Sequence, residues 1–213
     1  MKKYSLLAIA GIFAGSLAVS SAALDMSAGA KGGLGINTNS TSNLTYQGFV
    51  GGGVFDMMFN QVFGFEADLF YNMKGHRYSV FLTNIFVDET CTYKENYLDI
   101  PLLAKFTLPL KSPVKPMVFA GPSFGILLSS KEHIVATTSP LSSYLPFDST
   151  IDLRAKTNSF DFCFVFGAGA EISAGPGKIV VDIRYSLGQT KVMTFADWKN
   201  SQLGLMAGYS FKL

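Results

Sequence analysis

The sequence predicts an all-β chain, an eight-stranded antiparallel up-and-down transmembrane β-barrel, and three observations lead there. Apolar residues alternate with small or polar ones at period two in eight successive stretches. The chain is 48% hydrophobic and 15% charged, whereas an ordinary soluble domain carries about 25% charged residues, so it has too few charges to solvate a normal surface. Beyond the first two dozen residues no apolar run approaches the ~18 residues that a spanning helix needs. Strands must therefore do the crossing.

Residues 1–22 are predicted to be a cleaved signal peptide. Lys2-Lys3 forms a positive n-region, Leu6 to Val19 an apolar stretch, and Ser20-Ser21-Ala22 or Ser21-Ala22-Ala23 suits the peptidase. The stretch is short for a retained anchor, and no Cys follows for lipid attachment. Residues 23–213 remain as the barrel domain, with the formal net charge of +2 carried by Lys2 and Lys3. No basic patch calls for nucleic acid. Export reaches an oxidising compartment, where Cys91 and Cys163 could pair, although two cysteines make no framework.

The first stretch sets Met26, Ala28, Ala30, Leu34 and Ile36 against Ser27, Gly29, Lys31, Gly33 and Gly35. The second, weaker, sets Tyr46, Gly48, Val50, Gly52 and Val54 against Thr45, Gln47, Phe49, Gly51 and Gly53, and admits a bulge or a register error. The third opposes Phe63, Phe65, Ala67, Leu69, Tyr71 and Met73 to Gly64, Glu66, Asp68, Phe70 and Asn72. In the fourth, Leu98, Ile100, Leu102, Ala104 and Phe106 oppose Tyr97, Asp99, Pro101, Leu103 and Lys105; in the fifth, Val118, Ala120, Phe124, Ile126 and Leu128 oppose Met117, Phe119, Gly121, Ser123 and Gly125. Pro101 and Pro122 each remove a ladder donor, which predicts a local bulge at both. The sixth opposes Phe160, Phe162, Phe164, Phe166, Ala168, Ala170 and Ile172 to Asp161, Cys163, Gly167, Gly169 and Glu171. The last two place Ile179, Val181, Ile183, Tyr185 and Leu187, then Leu203, Leu205, Ala207, Tyr209, Phe211 and Leu213, opposite Asp182, Arg184, Gly204, Gly208 and Lys212.

The apolar face read this way holds no charge, amide or aliphatic hydroxyl, only the phenols of Tyr46, Tyr71, Tyr185 and Tyr209. A soluble lipocalin-like barrel would turn that face inward and show water a surface rich in Lys and Glu. Here the opposite face is mainly Gly and Ser with few charges, which suits a narrow lumen. The apolar face therefore points to lipid.

The connections alternate as in barrels with brief periplasmic turns and larger external loops. Segments 56–60, 108–114 and 174–177 are short, while 75–93, 129–158 and 190–200 are longer and 38–43 is a compact external loop. An even strand number puts both termini on the periplasmic side and leaves no edge in the hydrocarbon.

The run from Tyr97 to Phe106 (YLDIPLLAKF), Lys115 to Pro122 (KPMVFAGP), Gly167-Ala168-Gly169 and Arg184 to Gly188 (RYSLG) resembles the PorT-type outer-membrane β-barrel family of small porin-like proteins, over essentially the whole mature chain. The resemblance implies the fold and an outer-membrane location but little about activity, since the family includes members of unknown role and at least one linked to protein secretion. The ending Gly208 to Leu213 (GYSFKL) is similar to the C-terminal signal read by outer-membrane assembly machinery, although it closes on Leu213 rather than an aromatic residue.

No catalytic, cofactor or metal site is expected. Gly175-Pro176-Gly177-Lys178 lacks the other residues of a Walker A loop and reads as a hairpin turn. Asn39-Ser40-Thr41 and Asn43-Leu44-Thr45 match the glycosylation pattern and read as polar loop. His76 and His133 fall in external loops with no second ligand at metal spacing, and read as solvated.

In the lumen, Lys31, Lys105, Arg184 and Lys212 share a narrow space with Glu66, Asp68, Asp99, Asp161, Glu171 and Asp182, so they are expected to pair across strands. With Phe49, Phe70, Leu103 and Phe119 also inward, they should block a water column. Outside, Tyr78, Val80, Phe81, Leu82, Ile85 and Phe86 make a β-prone apolar run, expected as a hairpin turning at Thr83-Asn84 that a partner could contact. The alternative is packing against Ile134, Val135, Leu141, Tyr144 and Phe147 of the neighbouring loop. A structural or surface-binding role through 75–93 and 129–158 is the expectation. A narrow conduit for small or apolar solutes is the alternative, with a secretion accessory or a lipid-modifying enzyme less favoured. The partners implied are outer-membrane lipids, the assembly machinery and a surface protein or secretion partner.

Overall fold

The computed structural model describes residues 24–38, 44–83, 87–138, 145–194 and 198–213. The segment 1–22, the acceptor pattern at 39–43, and Asn84, Ile85, Phe86, Leu141 and Tyr144 lie outside these. Among the described residues nine strands follow in order: β1 Asp25–Thr38, β2 Tyr46–Met58, β3 Phe63–Leu82, β4 Val87–Thr107, β5 Val114–Thr138, β6 Phe147–Asp152, β7 Phe160–Ala174, β8 Gly177–Gly188 and β9 Ser201–Lys212. All pairings are antiparallel, β9 returns to β1 and β5 pairs with β7, so eight strands close into a ring. The ninth, β6, hangs on the outer end of β5. Each strand of the ring has two partners, which satisfies the backbone where no water reaches it.

Alternation explains the ring's two faces. On β7, Phe160, Phe164 and Phe166 stand outward and exposed while Asp161, Cys163 and Val165 are buried inside. On β8, Ile179, Val181, Ile183 and Leu187 stand out while Val180, Asp182 and Arg184 are buried. The outward rings touch along and across strands, Phe162 on Phe164 at 5.2 Å and Phe166 on Tyr185 at 5.5 Å between centroids. The β7–β8 turn closes on Gly175 at φ 57° followed by Pro176, and a two-residue hairpin loop needs the positive φ at its first position. That register sets Asp182 opposite Gly169 and Arg184 opposite Gly167.

Strand β2 corrects the sequence expectation, because its faces are reversed. Tyr46, Val50 and Val54 are buried inside, whereas Phe49 and Phe55 are exposed on the outside. The reason lies two residues past Val54: Asp56 shares its parity and is buried inside, where Lys105 and Lys178 hold it. A carboxylate cannot face hydrocarbon, so it drags the smaller valines inward and leaves the phenylalanines to lipid. Gln47 consequently stands on the outer face, exposed, near the band's upper limit.

The bulge also lies elsewhere than the prolines. The β4–β5 register shifts between Asn96 and Tyr97, and it is unchanged from Pro101 opposite Ser123 to Ala104 opposite Ala120. A proline withholds a donor without adding a residue, so the ladder opens locally and keeps its register.

The continuous outward apolar band reaches Met73 on β3, Leu98 on β4 and Leu128 on β5, and just beyond it Arg77, Lys94 and Lys131 stand exposed. Strands β3, β4 and β5 nevertheless continue, paired as far as Leu82 opposite Val87 and Val87 opposite Thr138. Residues 75–82 and 87–93 thus pair as a continuation of the barrel strands, and with β5 and β6 they make a sheet above the apolar band. Near the middle of that band an arginine replacing Leu102 or Phe164 is expected to cost about 2 to 4 kcal/mol. Urea unfolding of the folded barrel in lipid vesicles measures it, and Lys94→Arg, above the band, should be neutral.

Candidate functional site

The lumen is filled in tiers. Nearest the short turns, Lys105 from β4 and Lys178 from β8 share Asp56 of β2 and Glu171 of β7, each lysine 2.8 Å from Glu171. At mid-height Lys31 bridges Glu66 at 2.6 Å and Asp182 at 3.2 Å. Arg184 contacts Asp182 at 2.9 Å, Asp68 at 3.0 Å and Glu66 at 3.6 Å, and lies over the rings of Phe70 and Phe119. β8 and β3 are diametrically opposite in the ring, so Arg184 and Asp68 join across the full width of the lumen.

Higher still, Lys74 sits 3.0 Å from both Asp99 and Asp161 and over the ring of Tyr97. Asn72 donates to Asp99, while Gln202 joins Asn72 and Asn37. Apolar side chains fill the remaining lumen, Val50, Val54, Phe70 and Met206 in one cluster and Leu103, Met117, Phe119, Val165 and Val180 in another. Glycines make room for the polar chains: a Cβ at Gly208 would meet Lys31, and one at Gly125 would meet Asp99.

Of the ten lumen residues expected from sequence, Lys31, Glu66, Asp68, Asp99, Lys105, Asp161, Glu171, Asp182 and Arg184 are buried inside. Lys212 is not; it stands exposed at the rim, 3.2 Å from Asp25, because the last residues of β9 run past the ring's interior. Asp56, Lys74 and Lys178 were missed. The parity of Asp56 with Val54 and of Lys74 with Asn72 is the signal in the sequence; Asp56 falls in the segment read as a turn, and Lys74 lies one residue past the third stretch.

A small apolar cluster roofs the tiers. Cys91, Tyr93, Leu153, Val192 and Met193 pack together with Tyr78, Ile134 and Trp198 against them. His76 stacks on Tyr93 at 4.5 Å and meets Trp198 edge-on at 4.7 Å, so it is a buried roof residue and not the solvated loop histidine expected; burial lowers its pKa to about 4. His133 lies on the outer sheet, 2.7 Å from Asp148. Cys91 in the roof and Cys163 beside Lys74 are both unbonded. Of the contact run, Val80 and Phe81 are exposed, Tyr78 and Leu82 half-buried, and Tyr78 joins the roof. Among the described residues no cluster of ligating side chains could hold a metal.

Glu95 sits beneath this roof, above the apolar band and 0% exposed. Neither carboxylate oxygen has a hydrogen-bond partner at bonding distance among the described residues. Burial raises its carboxyl from 4.5 to about 7, against the pull of Asn200 and Lys74. The unfolded carboxyl ionises first, so the folded state binds more protons and stability falls as pH rises between about 4.5 and 7. Glu95→Gln should flatten that fall, measured as thermal midpoints in detergent across the window. An equal slope in both proteins counts against a buried neutral Glu95.

A family model described as an outer membrane protein beta-barrel domain matches residues 14–194. The chain is similar to Neisserial surface protein A, at 17% identity and TM-score 0.49, covering 88% of this chain and 97% of that one. It is similar to Ail, the attachment invasion locus protein of Yersinia pestis, at 16% identity and TM-score 0.37 over 88% and 97%. The N-terminal β-barrel domain of Pseudomonas aeruginosa OprF matches at 12% identity and TM-score 0.36 over 87% and 97%. No curated protein sequence matches. With the family model spanning most of its length, the chain belongs to the outer membrane protein β-barrel domain family and resides in the outer membrane.

Proposed function

We propose that this is a closed barrel whose role is exercised outside the membrane, structural or surface-binding, through segments 75–93 and 129–158. The observation that carries the reading is the Arg184–Asp68 contact across the lumen, flanked by paired charges above and below it and by two apolar clusters. A solute would have to break buried ion pairs to pass, and a charge left unpaired in such a site is costly. A structural or surface-binding role is favoured over catalysis, since Cys91 and His76 are buried in and against the apolar roof and the ring of His133 on the outer sheet is held by Asp148 alone among the contacts described.

On this reading residues 1–22 direct export and are removed, the long loops are external, and β9 is the segment the assembly machinery recognises. The PorT-type likeness of the four motifs agrees with a small porin-like barrel, and a surface protein or secretion partner is the binding class proposed. Single-channel recording in planar bilayers tests closure. The expected trace is flat. A steady, ion-selective conductance that changes when Arg184 or Asp182 is neutralised would overturn closure in favour of the narrow conduit.

A further inference from the structure

The ring has no edge, but the sheet above the membrane does. β6 pairs with β5 from Ala136 opposite Phe147 to Lys131 opposite Asp152, and it is the terminal strand of the sheet. Among the described residues no strand pairs with its far side. All but one of its residues are exposed. A row of backbone donors and acceptors is thus offered beyond the apolar band, the arrangement that accepts an added strand.

The side chains say which strand fits. Phe147, Ser149 and Ile151 share one face of β6, and Asp148, Thr150 and Asp152 share the other. When a second β6 is laid antiparallel, every register centred between two residues opposes the apolar face to the acidic one. Centring on Asp148 or on Thr150 sets acid directly against acid, Asp148 against its mate or against Asp152. Centring on Ser149 does neither: Phe147 meets Ile151 of the second copy, Asp148 meets Thr150, and Ser149 meets Ser149. Within its own sheet Asp148 is already held by His133, which lowers the repulsion between the two copies.

Symmetry then fixes where the second copy stands. Antiparallel neighbours are related by a two-fold axis perpendicular to their sheet. β6 continues a sheet whose strands rise from the barrel, so that axis lies along the membrane plane and inverts the second barrel. A neighbour in the same membrane cannot satisfy it; a copy in an opposing membrane can.

We infer that β6 is a homotypic adhesive edge, pairing through Ser149 with the β6 strand of a copy in a facing outer membrane. This rests on the surface-role reading above and names its partner. One short strand pair is far smaller than the ~1,200 Å² of a stable interface, so isolated barrels stay monomeric and contact builds by many pairs acting together between membranes.

The test uses the full barrel in phosphatidylcholine vesicles. Light scattering should report vesicle clustering, abolished by Thr150→Asp, which sets acid against Asp148, and strengthened by Thr150→Lys. Ser149→Cys should yield a reducible dimer formed only when vesicles touch, while Thr150→Cys should not, the native cysteines being buried. Heat-modifiable migration verifies that each variant is folded. Absence of clustering, or equal cross-linking by the Ser149→Cys and Thr150→Cys variants, overturns the adhesive edge. A flat conductance trace alongside that result would leave the closed, outward-acting barrel standing, so the two failures are separable.

Discussion

Every backbone N–H and C=O that enters hydrocarbon must find a partner within the protein, and that constraint orders this molecule. It forces β9 back onto β1. Closure then fixes period-two alternation on every strand, because one face meets lipid and the other a lumen enclosed by only eight strands. The lumen is too narrow for water to solvate charges freely, so the charges reaching it pair across strands, and Glu95, which has no ion pair among the described contacts, is pushed by burial toward its neutral form.

How the charges are matched gives the barrel its internal gradient. The tier nearest the short turns balances two lysines with two carboxylates. The tier around Lys74 has one lysine for Asp99 and Asp161, with Glu95 above them lacking an ion pair among the described contacts. The aromatic roof of His76, Tyr93 and Trp198 lies over this acidic end. Charge is thus balanced at the turn end and in acidic excess beneath the roof.

Most of the fold was legible because the constraint acts on sequence directly. The run of Phe160, Phe162, Phe164 and Phe166 between Asp161 and Cys163 has one reading at period two, and the faces of seven ring strands followed from such patterns. β2 did not, because its glycines carry no signal of side and its valines and phenylalanines are both apolar. Asp56 decides the matter, and it does so through lysines on β4 and β8 that no local pattern reveals. Likewise β6 has no periodic apolar face long enough to announce a strand; it exists because β5 runs on past β7 and offers it an edge. The roof is not legible for the same reason, being assembled from β3, β4, β5, Leu153, Val192, Met193 and Trp198. Lys212 was misplaced because parity gives a residue's face but not its height in the barrel.

In the closed barrel proposed above, side chains fill the lumen from the tier of Asp56 and Lys178 up to the roof, and Cys163 reports on that filling from within. Its thiol is buried beside Lys74 and Asp161, in the tier above the Arg184 crossing. Treating the folded barrel in lipid with a small, charged methanethiosulfonate reagent and locating the adduct by mass spectrometry tests the point directly. A filled lumen leaves Cys163 unmodified until the barrel is unfolded; prompt modification in the folded protein would show that the lumen is open.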